Sequence, residues 1–300
     1  MTIAEFIQYN TAELERNGVE SPRLQVEWML AHVLNRPRLE LMLDRTRVLT
    51  RGELGTLLSL VARRGAREPL QHLLGGTSFC GLDLAVDRHV LIPRPETERL
   101  VELAWDFLSD RKTEAGGRLQ VLDFGTGSGC LAIAVAARFG QARIWGVDIS
   151  QAALRVARVN ATAIGVQNQI QFICGDGLAA LGRRFQVDLI LSNPPYIPSG
   201  EIAGLDPEVR DHDPRNALDG GVDGLDFYRR LAGQAGRFLR RGGRLMVEFG
   251  DGQADAVAAL VEESGWRVDA VEKDLCGTDR FLIAHQPESR EDGLGFNGEA

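Results

Sequence analysis

Apolar positions along the chain change their spacing once decisively. In "SPRLQVEWMLAHVL" the residues Leu24, Trp28 and Ala31 fall on one helical face, with Ser21 placed as N-cap and Pro22 at the first helical position. In "TRGELGTLLSLVARR" the residues Leu54, Leu57, Leu58 and Val61 recur at i, i+3, i+4 and i+7, and Thr50 with Glu53 has capping-box spacing. Residues 1–75 are therefore expected to form a small helical bundle. At Gly75-Gly76 the period changes, and "TSFCGLDLAVDRHVLIP" alternates around turn residues as a β-hairpin does. Residues 76–94 are read as a hairpin linker.

From Pro95 onward, helical and strand signals take turns. "PETERLVELAWDFL" carries Leu100, Val101, Ala104, Phe107 and Leu108 on one stripe. Seven strand-like runs follow: "LQVLDFG", "ARIWGVDI", "IQFICGD", "VDLILSN", "GRLMVEFG", "WRVDAVEK" and "RFLIAHQ", with helical runs between most of them. Repeating βα units force a doubly wound α/β fold, a mostly parallel seven-stranded sheet covered by helices on both faces. The last two strands follow one another without a helix, so one edge is expected to be antiparallel. This second domain is assigned to residues 95–286, and residues 287–300, which lack periodicity, are expected to be a disordered tail.

Composition refines this picture little: 300 residues with 44% hydrophobic and 25% charged suit two globular domains. Charge refines it more. The net charge of −8 argues against a main task of holding nucleic-acid backbone, so no stable nucleic-acid complex is expected. Residues 1–75 hold ten arginines against nine acids, which leaves the acidic balance to the rest and suggests two modules. No run approaches the ~20 apolar residues that span a bilayer, and "MTIAEFIQYNTAELERNG" has acids and amides where a signal peptide is basic and then apolar. The expected location is the cytoplasm, with no membrane contact. Cys80, Cys130, Cys174 and Cys276 lie far apart without a C-x-x-C pair, so neither a disulfide framework nor a metal site is expected.

Candidate chemistry sits at the strand tips. "VLDFGTGSGCL" places Gly125, Gly127 and Gly129 where the first strand turns into its helix, and glycines there let the backbone bend sharply and approach a ligand. A dinucleotide fingerprint needs a third glycine at position 130, where this chain has Cys130, so the turn suits a nucleoside without phosphates. Taken alone, the glycine run is equally a structural turn. Asp148 ends the second strand, where an acid accepts from both ribose hydroxyls; its other reading is an N-cap for the helix starting near Ser150. Asp176 ends the third strand, placed to accept from an adenine amino group while the Gly177 backbone approaches the ring. An adenosyl group lying across these tips makes S-adenosylmethionine the economical cofactor.

"LSNPPYIPS" follows the fourth strand. An amide or aromatic amino nitrogen has a delocalised lone pair and is a poor nucleophile until held. The Asn193 side-chain oxygen and the Pro194 carbonyl can both accept from an NH2 group, fix its plane and aim it at a methyl. Pro194 and Pro195 stiffen the loop without adding a donor, and Tyr196 is placed to stack on the planar amide or near a sulfonium.

Together "LDFGTGSG", "NPPY", "LIPRPETE" and "DPRNALDGGVDGLDFYRRL" resemble the bacterial peptide chain release factor glutamine methyltransferases, the HemK family, and the resemblance covers the chain apart from the tail. It implies transfer of a methyl from S-adenosylmethionine to the side-chain amide nitrogen of the glutamine in the Gly-Gly-Gln loop of class 1 release factors. It assigns Gly125, Thr126, Gly127, Ser128, Gly129 and Asp148 to the cofactor, with Gly177 in the adenine wall where some relatives carry a bulky aromatic. Asn193 falls at the shared edge of cofactor and substrate, and Pro194, Pro195 and Tyr196 hold the glutamine. Phe79 resembles an aromatic that covers that glutamine; a hairpin core position is its other reading. Similar enzymes acting on a large-subunit ribosomal protein read more like V-P-R-S-P where this chain has "LIPRPETE", though Pro95, Glu96 and Glu98 also suit a plain helix start. A DNA methyltransferase acting on the adenine amino group remains an alternative, since N-P-P-Y serves a flipped base equally well. A non-catalytic module of the termination machinery is a third. A monomer whose helical bundle grips the release factor is expected.

Overall fold

Two capping boxes start the N-terminal helices. Thr2 and Thr50 accept from the backbone N–H groups of Glu5 and Glu53, and each glutamate returns to the cap's own N–H at 2.8 Å. A computed structural model describes residues 1–115, 118–182 and 184–287, so the expected tail lies outside the described residues beyond Pro287. The chain begins with α1 (Ile3–Arg16), α2 (Pro22–Leu34), α3 (Arg38–Leu43), α4 (Arg51–Gly65) and α5 (Leu70–Leu74), which enclose a core of their own around Phe6, Leu14, Met29, Leu30 and Leu57.

Helix α2 departs from expectation in two ways. Ser21 has φ +45° and makes no side-chain cap bond, and the buried stripe is Val26, Met29 and Leu30, leaving Leu24 and Trp28 exposed. The apolar positions of α2 run round its whole circumference, so spacing alone could not select the face; its neighbours do. In α4, likewise, Leu60 is buried and Leu58 exposed, beside the expected Leu57 and Val61.

The hairpin follows as β1 (Gly76–Phe79) and β2 (Leu82–Ala85), antiparallel, with Phe79 opposite Leu82. Then come α6 (Thr97–Ala115), β3 (Gln120–Phe124), α7 (Cys130–Arg138), β4 (Arg143–Asp148), α8 (Gln151–Ile164), β5 (Ile170–Cys174), β6 (Val187–Ser192), α9 (Pro207–Arg210), α10 (Asp226–Gln234), β7 (Leu239–Glu248), α11 (Ala254–Glu263), β8 (Arg267–Lys273) and β9 (Asp279–His285). Strand β7 begins at Leu239, earlier than its apolar run, because Leu239 pairs with Val187 before a register shift.

The seven-stranded order is β5-β4-β3-β6-β7-β9-β8, parallel from β5 to β7, with β9 antiparallel to both β7 and β8. Side chains alternate between two buried faces. Val121, Ile144, Leu189, Leu191 and Met246 pack under α6, α7 and α8; Leu122, Trp145, Ile190, Leu245 and Val247 pack under α10 and α11. The chain winds outward from β3 through β4 and β5, then returns to place β6 on the other side of β3. That reversal puts four strand ends side by side and opens a crevice beyond them. No helix among the described residues is long and apolar enough to cross a membrane.

An ionic clasp joins the bundle to the sheet domain. Glu208 on α9 receives Arg64 Nη2 at 2.7 Å and Arg67 Nε and Nη2 at 2.6 Å each, both from the α4 end of the bundle. Burial pushes the Glu208 carboxyl up, but Arg67 and Arg64 outweigh it and hold its pKa at about 2. Against the ordinary value of 4.5, that is a contribution of about 3 kcal/mol at neutral pH. Because the folded-state pKa is depressed, the contribution is present above pH 4.5 and is lost as pH falls towards about 2. Glu208→Gln should therefore lower the urea midpoint at pH 7, with the gap to the parent narrowing towards pH 3; equal midpoints at pH 7 would show that the clasp carries no stability.

Candidate active site

The tip of β3 has to leave a packed sheet and enter α7 within a few residues. Gly125, Gly127 and Gly129 take φ values of +73°, +53° and +82°, which a side chain would strain. Asp123 braces the turn from inside: it is 1% exposed and accepts from Thr126 Oγ1 at 2.6 Å and from Ala132 N at 3.2 Å. Burial pushes its carboxyl up to about 7 despite those two donors.

The four strand ends and the segments beyond them surround a cleft of about 250 Å3. On one side are Gly125, Thr126, Gly127 and Ser128 from the turn and Asp148 from the end of β4. Asp148 Oδ2 accepts from Gly127 N at 2.9 Å and Oδ1 from Ser150 N at 2.8 Å. Each oxygen thus keeps a lone pair for a further donor. Burial raises its pKa, opposed by those N–H groups. The helix-cap reading goes to Ser150, whose own hydroxyl accepts from Ala153 N at 3.1 Å to start α8.

Further along, the rings of Phe124 and Phe227 line the cleft edge-to-face, with centroids 6.5 Å apart. Gly177 lies against Phe124 so closely that a Cβ would come within 2.6 Å of its ring, at φ +58°. Asp176 also lines the cleft, but its Oδ1 is held by Arg230 Nη2 at 2.6 Å. Arg94, the other arginine of the lining, is bound to Asp213 at 2.8 Å. The two guanidinium groups in the wall are thus already neutralised. Open space above Gly125, an acid with spare lone pairs and apolar rings suit an uncharged nucleoside better than a pyrophosphate.

Asn193 emerges from β6 into this cleft. Its strand end is tied to β3 by Ser192 Oγ, which donates to the Phe124 carbonyl at 2.8 Å. Asn193 Nδ2 donates to Thr97 Oγ1 at 3.0 Å, and Thr97 Oγ1 donates to Glu248 Oε2 at 2.7 Å, both acceptors being about 2% exposed. The loop beyond is anchored from behind. Ile197 exchanges backbone bonds with Leu218 and Gly220, and Gln253 Nε2 donates to the Tyr196 carbonyl at 2.9 Å. Gly220 and Gly224 approach Tyr196 so closely that a Cβ would lie 2.8 Å from its Cα and 2.3 Å from its oxygen. The thiol of Cys130, which also faces the cleft, is pushed up to about 12 by burial and stays protonated.

Residues 5–75 match the PrmC N-terminal domain model, and residues 106–203 match the methyltransferase small domain model. A release factor glutamine methyltransferase of Rhodospirillum rubrum is 43% identical over 95% of this chain and 86% of its own length. Its counterpart in Geobacter sulfurreducens is 42% identical over 94% and 95%, and that in Deinococcus radiodurans 40% over 95% and 99%. The chain belongs to the release factor glutamine methyltransferase family. Among solved structures, the N-terminal domain of human METTL16 in complex with SAH is similar with a TM-score of 0.50 and 16% identity, over 82% of this chain and 86% of that one, a likeness of fold.

Within this methyltransferase the structure brings together Gly125, Thr126, Gly127, Ser128, Asp148, Asp176, Gly177, Asn193 and Pro195, all residues of the cleft wall. Four expected residues lie elsewhere. Phe79 is 1% exposed in the core with Leu84, Leu100 and Val101, because hairpin alternation turns it towards the sheet domain and not towards the cleft. Tyr196 packs into the core beneath α10 and α11, and burial pushes its hydroxyl up to about 12; it anchors the loop from below. Pro194 is buried behind the loop. Gly129 is a packing position, where a Cβ would meet Ile133 Cδ1 at 3.0 Å and Ala157 Cβ at 3.1 Å.

Thr97, Glu248 and Phe227 were missed. Glu248 was open to the same reading as Asp148, an acid at the carboxyl end of a strand; Thr97 sat in "PETE", where it passed for part of a helix start. Gly129→Ala should lower stability by about 1–3 kcal/mol through its positive φ and those contacts, with cofactor affinity of the folded protein within about threefold of the parent. A cofactor affinity lost with unchanged stability would return Gly129 to the cleft.

Proposed function

We propose that the protein transfers the methyl group of S-adenosylmethionine to the side-chain amide nitrogen of the glutamine in the Gly-Gly-Gln loop of class 1 release factors. The observation that carries this reading is Asn193: a side-chain amide at the cleft edge whose NH2 is engaged from behind by Thr97, so that its oxygen is the free end. When bound, S-adenosylmethionine supplies an electrophilic methyl on a sulfonium. Asp148 holds the ribose hydroxyls, the Gly125–Ser128 turn gives the methionine part close backbone approach, and Phe124, Phe227 and Ile149 provide the apolar walls for adenine. Asn193 Oδ1 accepts from the NH2 of the acceptor amide, fixes its plane and turns its nitrogen towards the methyl. The buried Cys130 thiol and Tyr196 phenol, pushed up to about 12, stay protonated and take no proton, so orientation carries the rate and the proton lost by the amide nitrogen on methylation passes to solvent.

A monomer working in the cytoplasm, where termination takes place, is part of this reading. Net charge −8, with the cleft's arginines already paired to acids, supports the absence of a stable nucleic-acid complex. The N-terminal bundle is the gripping element. Leu39 and Leu43 stand one turn apart on α3, 76% and 91% exposed, and Trp28 and Val48 of the same bundle are also exposed.

Incubation with labelled S-adenosylmethionine and, side by side, release factors, a ribosomal-protein extract and DNA should label a release factor glutamine alone, as located by mass spectrometry. Asn193→Ala should lower this transfer by about 10²–10³-fold and leave cofactor binding measurable. Label on a ribosomal protein or on adenine, or an Asn193→Ala variant with undiminished turnover, would overturn the assignment.

The bundle's role is tested separately. Leu39→Glu with Leu43→Glu should raise KM for the whole factor about tenfold or more while leaving turnover of a short loop peptide unchanged. Equal effects on both substrates would remove the bundle from recognition.

A further inference from the structure

An amide is nearly symmetric in shape, and Asn193 serves only if its oxygen, not its NH2, faces the cleft. We propose that Thr97 and Glu248 are positioning residues that fix the orientation of the Asn193 amide through the directed chain from Asn193 Nδ2 to Thr97 Oγ1 and from Thr97 Oγ1 to Glu248 Oε2. The proposal rests on the reading that Asn193 grips the acceptor amino group.

The direction of the chain follows from counting protons. A threonine hydroxyl has one hydrogen, and at 2.7 Å it is donated to the Glu248 carboxylate. Thr97 Oγ1 can then only accept from Asn193, so only the NH2 end of the amide fits against it, at 3.0 Å. Three elements distant in sequence build the chain: the start of α6, the end of β6 and the end of β7. Thr97 and Glu248 are each 2% exposed, so no water network competes for the bonds.

Protonation of Glu248 would reverse the chain. A neutral carboxyl can donate to Thr97 Oγ1, which frees the hydroxyl proton for the Asn193 oxygen and lets the amide turn over. Around the carboxyl stand Arg280 from β9, which favours the charged form, and Glu96 before α6, which opposes it. Tyr196 of the loop lies near it as well, and Tyr228 of α10 spends its hydroxyl on the Glu248 backbone carbonyl at 2.9 Å. Burial dominates these influences and pushes the Glu248 carboxyl up to about 7.

Activity and stability then respond in opposite directions. A folded-state pKa raised above the ordinary 4.5 contributes stability that is fully present below pH 4.5 and lost as pH rises through about 7. Turnover through the chain instead requires the ionised form and falls as pH drops through about 7. Asp123, also pushed up to about 7, holds the glycine turn and reads out in cofactor affinity, and Asp213, pushed up to about 6, holds Arg94 of the cleft wall; the Glu248→Gln comparison at saturating cofactor separates Glu248 from both.

The test measures kcat, KM for the release factor and cofactor Kd between pH 5.5 and 9 for the parent and for Thr97→Val, Thr97→Ser, Glu248→Gln and Asn193→Ala, with Tm recorded for each. Thr97→Val should lower kcat at least about tenfold with Kd and KM within about threefold, and Thr97→Ser should restore it. Glu248→Gln, which cannot ionise, should abolish the acid limb of kcat near pH 7. A Thr97→Val kcat within twofold of the parent, or a Glu248→Gln profile that keeps the acid limb, would overturn the proposal. The Glu248→Gln profile decides the matter even if Thr97→Val fails to fold. Full turnover by Asn193→Ala would instead overturn the underlying reading of the site, so the two failures are distinct.

Discussion

The site depends on β3 and β6, separated by more than sixty residues, ending at the same height. Asp123 lies opposite Leu191, which sets Phe124 beside Ser192 and Asn193 beside the glycine turn. Both strands are buried on both faces, so hydrophobicity alone specifies their register weakly: a slip of one residue exchanges Ile190 and Leu191 between two apolar cores and exposes neither. Two polar ties bracket the pairing. At one end Ser192 Oγ donates to the Phe124 carbonyl; at the other Gln120 N donates to Asp188 Oδ2 at 2.8 Å, and Asp188 is itself paired with Arg240 at 3.1 Å. A slip would break both, leaving a buried hydroxyl and a backbone N–H without partners, at several kcal/mol in a domain whose whole margin is about 5–15 kcal/mol. The register of the cleft is therefore held by hydrogen bonds, while its cohesion comes from apolar packing.

The same region concentrates unfavourable burial. Asp123, Asp213 and Glu248 are held at pKa values of about 7, 6 and 7 by desolvation, each well above a carboxyl in water. Such groups weaken the domain near neutral pH and persist because they brace the turn, the arginine at the cleft mouth and the Asn193 amide. Compensation lies outside the cleft. The Glu208 clasp stabilises the junction with the bundle, and α9 leads within a few residues to Asp213 and to Pro214, Asn216 and Ala217 of the cleft wall. One short segment therefore carries both the contact with the bundle and part of the cleft wall.

Most of the architecture was legible in the sequence because it rests on local signals. The seven strand runs became β3 to β9, the paired final strands gave the antiparallel edge, and the Thr50–Glu53 box opened α4 as spaced. The glycine turn, Asp148 and Asn193 were readable for the same reason: each sits at the tip of a strand that its own neighbours define. Aromatic side chains were not. Phe79 and Tyr196 carry no mark that says whether a hairpin or a loop turns them towards a ligand or a core, and in both cases the core offered more apolar contact. Thr97 and Glu248 were illegible for another reason, since their meaning is a contact across 151 positions that no local pattern announces.

The two prolines of the loop gain a physical reason from their surroundings. A backbone leaving a fully buried strand must satisfy every N–H it carries, and at positions 194 and 195 there is none to satisfy. What remains on the cleft side is an edge that accepts hydrogen bonds and does not donate them. On the far side, Tyr196 is fixed by its ring in the core, by Gln253 on its carbonyl and by two glycines that let the chain approach it. Loop rigidity therefore comes from behind and chemical selectivity from in front. On the proposed reading, a group bearing two N–H bonds matches that edge, whereas a group that offers only acceptors does not. The buried acids behind the loop, Glu248 among them, are the cost of that rigidity.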